Sequence, residues 1–344
     1  MTSTKRPVRF GIIGCGIIAE SHAAAIAGCP DAELVAVSDI IPERAKSFAE
    51  KHGVGVAVSN NDDLLGLAEV DVVSVCTPSG VHGEVAIAAA RAGKHILCEK
   101  PLEIKREAMA AMISAAKAAG VQLGAVYQRR VTPGIVRVKR ALDAGQLGPL
   151  VLADASLKYH RSPEYYRSGD WRATWELDGG GALMNQGIHG IDLLQWLVGD
   201  IVSVSATVRT LVHAIKVEDT AVATVEFANG AIGSIMGATS VYPELPTRFA
   251  IHGRDGSVIF GDHGIEHWTV GRQNVTKEMA EEAGSEFVLS HRPFIDNMVQ
   301  VARGEATVLV PGEEARKAVD VILAIYESGR LGRPVRVAHD EAGQ

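Results

Sequence analysis

The sequence has no Cys-x-x-Cys pair, and its four cysteines (Cys15, Cys29, Cys76, Cys98) all lie in the first hundred of 344 residues. Three of them sit in or beside apolar strand-like runs, where a thiol behaves as a small buried hydrophobe. A disulfide framework and a cysteine-held metal are therefore not expected. No stretch approaches the roughly 18 uninterrupted apolar residues that a membrane helix needs. The start, MTSTKRPVRF, carries no apolar signal core before the first strand, so the expected compartment is the cytoplasm. Positive charge is also scarce: 34 Lys and Arg stand against 41 Asp and Glu, a net charge of −7. That excludes a broad basic footprint for nucleic acid or anionic lipid, while a local Arg/Lys pocket could still receive an anionic metabolite. Repeats and low-complexity segments are missing too, apart from a tail, Asp340–Gln344, expected to fray.

What is present is ordinary globular material, 47% apolar and 22% charged, in a length that suggests about two domains. The first 126 residues alternate short apolar runs with helical patterns. Strands are expected at Val8–Ile13, Glu33–Asp39, Val70–Cys76, His95–Cys98 and Val121–Val126. Helices are expected at Ile17–Ala27, Pro42–His52, Val81–Ala92 and Lys105–Ala119. Near-continuous apolar strands separated by helices of this length imply right-handed crossovers and a doubly wound parallel sheet, an α/β domain. From residue 127 the texture changes. Pro133–Ala144 and part of Gly179–Val198 read as helices, followed by strand-like segments Ser203–Leu211, Thr220–Phe227, Ala231–Gly237, Thr247–His252 and Ser257–Phe260. Asn229-Gly230 and Arg254-Asp255-Gly256 are turn signals between them, and Glu313–Gly329 is a closing helix. Residues 127–344 are thus expected to form an α+β domain with a large, mostly antiparallel open sheet. Val222 and Val225 fall on opposite faces of one strand, so the face turned from the helices is expected to meet a partner subunit, as a homodimer or homotetramer.

Chemistry-bearing residues cluster at strand ends. Gly14-Cys15-Gly16-Ile17-Ile18-Ala19 joins the first strand to the first helix. The first glycine suits a tight turn, the second a close approach to pyrophosphate, and the small third residue lets helix pack on strand. The helix N-terminus, beginning with Ile17 and Ile18, offers N–H groups to phosphate. Asp39 follows at the end of the second strand, where an acid accepts hydrogen bonds from ribose hydroxyls. No Arg stands beside it to receive a 2′-phosphate, so NAD is expected rather than NADP. Thr77-Pro78-Ser79-x-x-His82 and Glu99-Lys100-Pro101 end later strands at the same edge. His82 reads either as a nicotinamide-side contact or as a helix cap. Lys100 reads as a donor to a reacting hydroxyl that favours its alkoxide, or else as an ion-pair partner of Glu99. In Asn185-x-x-x-His189-x-x-Asp192 the three side chains are expected on one helix face. His189 could take a hydroxyl proton as hydride leaves the same carbon; a core-facing structural histidine is the plain alternative. Asn is a poor zinc ligand, and no metal is expected.

In this order, GIIGCGIIA, Asp39, CTPSGVH, CEKP and GGGALMNQGIHGIDLLQW resemble the glucose–fructose oxidoreductase/inositol dehydrogenase (Gfo/Idh/MocA) family over the whole chain. The resemblance implies hydride exchange between nicotinamide and a hydroxyl of a sugar, cyclitol or related polyol. It implies a catalytic Lys100, a cis peptide bond before Pro101 and His189 as acid/base. Lys100 ends a strand at the carboxyl edge and the His189 segment is the best polar-marked helix to close that crevice, so the two are expected to converge on one substrate hydroxyl. Many members carry Asp where this chain has Asn185, which removes a charge beside His189. The stretch Tyr159–Asn185 is similar to members acting on nucleotide-linked sugars. By that likeness Arg161, Tyr165, Tyr166, Trp171, Arg172 and Trp175 line the substrate pocket or touch the nicotinamide; packing in a core or interface is the alternative for the aromatic ones. Gln128 and Arg130 are expected to close the cleft, with Glu99 and Gln128 on the cofactor side. Two other readings are a transient-oxidation enzyme, glycosidase-like or dehydratase-like, that recycles NAD, and a non-catalytic NAD-binding regulator. The intact Lys100 and His189 argue against the regulator.

Overall fold

The computed structural model of the protein describes residues 5–283 and 289–338; the tail expected to fray lies outside them. The chain forms two compact units, one of residues up to Val126 with Ser290–Arg316, the other of Tyr127–Leu289 with the residues from Lys317 onward. The first begins with β1 (Val8–Ile13), α1 (Ile17–Ala27), β2 (Ala32–Ser38), α2 (Pro42–His52), β3 (Val56–Val58) and α3 (Asn61–Leu65). It continues through β4 (Val72–Val75), α4 (His82–Arg91), β5 (His95–Cys98), α5 (Arg106–Ala119) and β6 (Leu123–Ala125). These strands make one parallel sheet in the order β3-β2-β1-β4-β5-β6. Phe10, Ile12, Val72, Val73, Ile96 and Leu97 are buried, as strands covered by helices on both faces require. The order runs outward from β1 in one direction and from β4 in the other. Loops leaving these two neighbours diverge, and a crevice opens at the carboxyl edge between them. β3 and α3 escape sequence reading because three and five residues are too few to show a period.

The second unit contains α6 (Pro133–Asp143), β7 (Leu150–Lys158), α7 (Pro163–Arg167) and a π-helical turn (Ala182–Gly187) that runs into α8 (Ile188–Val198). Next come β8 (Ile201–Arg209), β9 (Thr220–Phe227), β10 (Ile232–Ala238), β11 (Arg248–Gly253), β12 (Gly256–Gly261), β13 (Gly264–Val270), β14 (Gln273–Asn274) and α9 (Thr276–Ala283). The chain returns to the first unit for α10 (Arg292–Ala302). It then passes through α11 (Gly312–Leu331) to β15 (Val335–Arg336), the edge strand beside β8. The nine strands lie in the order β14-β13-β12-β11-β7-β10-β9-β8-β15. β7 was not expected from the sequence, where Asp154 and Lys158 interrupt its apolar pattern. It is nevertheless a central strand, antiparallel to β11 but parallel to β10, which makes the sheet mixed.

Along β9, Ala221, Ala223, Val225 and Phe227 are buried while Val222, Thr224 and Glu226 are exposed. The outward face is therefore not uniformly apolar: Leu152, Val222 and Ile232 share it with polar neighbours. Cys29, Cys76 and Cys98 are buried free thiols and Cys15 is half-buried. No described helix is long and apolar enough to cross a membrane.

Candidate active site

At the turn between β1 and α1, Gly14 has φ +93°, and a Cβ there would lie 2.7 Å from the carbonyl carbon and oxygen of Cys76. Only glycine lets β4's end press this closely. A Cβ on Gly16 would meet nothing within 4 Å. α1 has no side-chain cap, so its first N–H groups lack the usual intrachain acceptor. Ala19 is fully buried under the helix. Asp39 accepts the main-chain N–H of Cys15 through Oδ2 and of Ile41 through Oδ1, each at 2.9 Å. It thus braces the glycine turn, and its carboxylate keeps further lone pairs for hydroxyl donors. Burial, then the Asp39 charge, pushes the Cys15 thiol up to about 12, which keeps it protonated and unreactive. Ile17 and Ile40 are more than four-fifths exposed. A bare helix N-terminus, an open approach at Gly16 and an acid ending β2 fit a dinucleotide.

The ends of β4 and β5 are latched together. His82 is buried, its Nδ1 2.8 Å from the Pro101 carbonyl and its Nε2 2.9 Å from that of Thr77. Both ring nitrogens thus face main-chain carbonyls, a use neither sequence alternative anticipated. Pro78 leads the turn, Ser79 is buried, and the Thr77 hydroxyl is buried with no hydrogen-bond partner among the described residues. The Lys100–Pro101 peptide is cis.

Glu99 turns into the protein. Its Oε1 receives Nε2 of His22 at 3.0 Å and Nε2 of His291 at 2.9 Å, and its Oε2 receives the Lys100 main-chain N–H at 3.1 Å. Burial acts to raise its pKa, but hydrogen bonds from the two histidines outweigh it and hold the carboxyl well below its ordinary range. Burial lowers His22, so the pair is a carboxylate beside a neutral imidazole. Three potential metal ligands meet here. Both imidazoles, however, address one oxygen at hydrogen-bonding distance, the geometry of two N–H donors on one anion. No local motif could reveal this cluster, whose members are 77 and 192 residues apart.

In the second unit, Arg172 lies 4.5 Å over the rings of both Trp171 and Tyr165. Its NH1 donates to the Tyr165 hydroxyl at 2.8 Å, and that hydroxyl donates to Asn185 Oδ1 at 3.0 Å. Asn185 Nδ2 in turn donates to Asp178 at 2.6 Å. The negative charge lacking at position 185 is thus supplied one hydrogen bond further on, by a residue sequence reading did not single out. Arg161 reaches Gln186 at 2.7 Å and Glu244 at 3.1 Å, and Tyr166 donates to Thr239 at 2.7 Å. Trp175 donates instead to the Lys216 carbonyl at 2.9 Å and packs edge-on to Tyr326.

The three residues expected on one regular helix are divided between two helical elements. Asn185 belongs to the π-helical turn that precedes α8, and only His189 and Asp192 are α-helical. Asp192 forms a buried two-pronged pair with Arg130 at 2.7 and 2.8 Å, and His189 stands edge-on to Tyr127 at 6.0 Å. Gln128 is buried in the same short helical turn as Arg130. Lys100 belongs to the first unit and His189 to the second.

A profile of the oxidoreductase family with an NAD-binding Rossmann fold matches residues 8–127, and the Gfo/Idh/MocA C-terminal domain matches residues 135–259. Inositol 2-dehydrogenase of Rhizobium meliloti is 30% identical over 73% of this chain and 74% of its own length. Levoglucosan dehydrogenase of Pseudarthrobacter phenanthrenivorans is 29% identical over 74% and 73%. In structure, the chain is similar to the WlbA dehydrogenase from Bordetella pertussis in complex with NADH and UDP-GlcNAcA. That match has a TM-score of 0.92 and 34% identity, and covers 98% of this chain and 100% of that one. The chain belongs to the Gfo/Idh/MocA family of oxidoreductases, and its first unit is the NAD-binding Rossmann domain.

Glu99 sets an acid limit on stability. A carboxyl depressed below its ordinary 4.5 contributes stability above that pH and loses it as pH falls through the lower native value. His22, lowered from 6.5, adds a loss that begins as pH drops below 6.5. Glu99→Ala should strand buried N–H donors at about 1–3 kcal/mol each. Urea unfolding between pH 7.5 and about 3 should show a lower midpoint for Glu99→Ala and a flatter acid limb for Glu99→Gln. An unchanged midpoint and an unchanged acid limb would contradict this account of the cluster.

Proposed function

We propose that the protein interconverts a secondary hydroxyl and a ketone on a sugar, cyclitol or nucleotide sugar. The observation that carries this reading is the polar constellation of the second unit, Arg161, Tyr166, Arg172, Asn185 and His189, in a chain whose first unit is an NAD-binding domain. When bound, NAD supplies the hydride acceptor, or the donor in reverse. Gly14, Gly16 and the N–H groups of Ile17 and Ile18 would hold the pyrophosphate, and Asp39 would receive the ribose hydroxyls. Thr77, Pro78, Ser79 and Lys100 of the first unit, with His82 and Glu99 holding their loops in place, are the residues that would contact the nicotinamide half; Gln128, Trp171 and Arg172 are the second unit's candidates for the same role. Lys100 donates to the reacting oxygen and favours its alkoxide. His189 receives the hydroxyl proton, and the Asn185–Asp178 pair lends negative charge to that side of the helix. The similarity to a dehydrogenase crystallised with UDP-GlcNAcA, together with Arg161 and Arg172, favours an anionic, nucleotide-linked sugar. Leu152 pairs with Ile232, and Val222 with Met236, on the open side of the nine-stranded sheet. This face is the one through which the chain self-associates.

NADH formation should be measured across myo-inositol, levoglucosan and UDP-GlcNAcA. Turnover of at least one is expected, with Lys100→Ala and His189→Ala each lowering kcat about 10²-fold or more while NAD⁺ affinity changes little. Near-normal turnover in both variants would sink the assignment.

Calorimetric titration should show NAD⁺ binding more tightly than NADP⁺, because the Asp39 carboxylate repels a 2′-phosphate. Asp39→Ala should narrow the gap, and NADP⁺ binding as tightly to the unmutated protein would refute the role of Asp39.

Light scattering at micromolar concentration should report a dimer or larger assembly. A monomer there ends the proposal for the sheet face.

A further inference from the structure

Glu218, just before β9, is almost completely buried, and three successive amides converge on it. Its Oε2 accepts the N–H of Gly181 at 2.9 Å and its Oε1 that of Leu183 at 2.8 Å; its main-chain carbonyl accepts that of Ala182 at 3.0 Å. The Tyr326 hydroxyl, from α11, also donates to Oε1 at 2.8 Å. These amides start the π-helical turn, and Gly181 has no side chain with which to cap them. The approach is possible only because glycines stand there. A Cβ on Gly181 would lie 2.0 Å from the Glu218 carbonyl oxygen, and one on Gly180, where φ is +156°, 2.1 Å from the Tyr326 hydroxyl. The clamped turn carries Asn185 and runs directly into α8 and His189.

We propose that Glu218 is a positioning residue that, with Tyr326 as its partner, sets the register of the π-helical turn and thereby the placement of Asn185 and His189. This rests on the reading of His189 as the group that receives the substrate proton. The carboxyl holds the amides in both protonation states, more weakly when neutral. Charged, it accepts all three donors. Neutral, its O–H turns toward the Tyr326 oxygen while both amides stay bound. Burial raises Glu218 to about 7, against the lowering effect of its amide and Tyr326 hydrogen bonds, so it changes state near neutrality. The titratable groups around it are Tyr326 on α11, Tyr166 on α7, Asp178 before the glycines and the adjacent Asp219. Because this pKa is raised, its stabilising contribution is present in acid and is lost as pH climbs through about 7. Ionisation meanwhile strengthens the individual amide bonds, since charged acceptors bind N–H groups more tightly. Glutamine cannot substitute, because one of its two polar atoms is an NH₂ that would face an amide N–H.

The test uses the full chain with NAD⁺ bound. In Glu218→Gln, hydrogen exchange at Gly181 and Leu183 should accelerate tenfold or more, with exchange in the first unit unchanged. On whichever of myo-inositol, levoglucosan or UDP-GlcNAcA is turned over, kcat should fall about tenfold with KM for NAD⁺ unaltered, and the step near pH 7 in the rate profile should disappear. Tyr326→Phe removes one hydrogen bond and keeps the carboxyl. It should give a smaller loss in the same direction, and it serves as the test should Glu218→Gln fail to fold. Wild-type exchange, kcat and pH profile in the variant that folds would overturn the proposal. If Lys100→Ala and His189→Ala collapse turnover while this variant does not, the inference about Glu218 falls alone. If those two variants keep full turnover, the catalytic reading falls, and with it the role of positioning His189.

Discussion

Buried, irregular backbone must find hydrogen-bond partners without a strand ladder to supply them. In both units carboxylates do so. The loops at the carboxyl edge of a parallel sheet leave the ladder where a ligand needs them close-packed and shaped. Asp39 takes the amides of Cys15 and Ile41, and Glu103 takes those of Gly83 and Ile104. Glu99 takes that of Lys100 while held by two histidines. In the second unit Glu218 binds the start of the π-helical turn, and Asp219 receives Leu211, Val212 and His213. Each carboxylate carries several lone pairs, so one side chain can hold two or three amides of a loop with no regular geometry of its own.

Their electrostatic fates differ with the partners. Burial opposes ionisation at Glu99 and at Glu218 alike. Imidazole donors outweigh it at Glu99, whose carboxyl is held down. Glu218 has only neutral amides and a phenol, and burial prevails. The first unit is thereby sensitive to acid and the second to a step near neutrality. The Arg130–Asp192 pair is a third case, a two-pronged ion pair sealed against α8, where either partner alone would be a stranded charge.

Much of the first unit could be read directly. Strands such as Val8–Ile13 and His95–Cys98 are apolar apart from Arg9 and His95, and the Gly14–Ala19 turn has the spacing of a strand-to-helix turn that takes a dinucleotide. The hairpin at Asn229-Gly230 was equally plain. The second unit was legible mainly through resemblance. β7 was hidden because its polar residues face outward from a sheet whose other face is covered, and the π-helical turn was hidden because its residues differ little from those of a regular helix.

By itself the amino-acid sequence determined the parallel sheet, the glycine turn and the acid ending β2, since each follows from local periodicity or fixed short spacing. Tertiary structure alone decided that His82 latches two loops and that Glu99 is shared by His22 and His291. It also set Asp178 behind Asn185 and Glu218 beneath the glycines. These side chains are joined by hydrogen bonds across tens to hundreds of residues, and no local pattern encodes a bond whose partners meet only when the strands between them are in place.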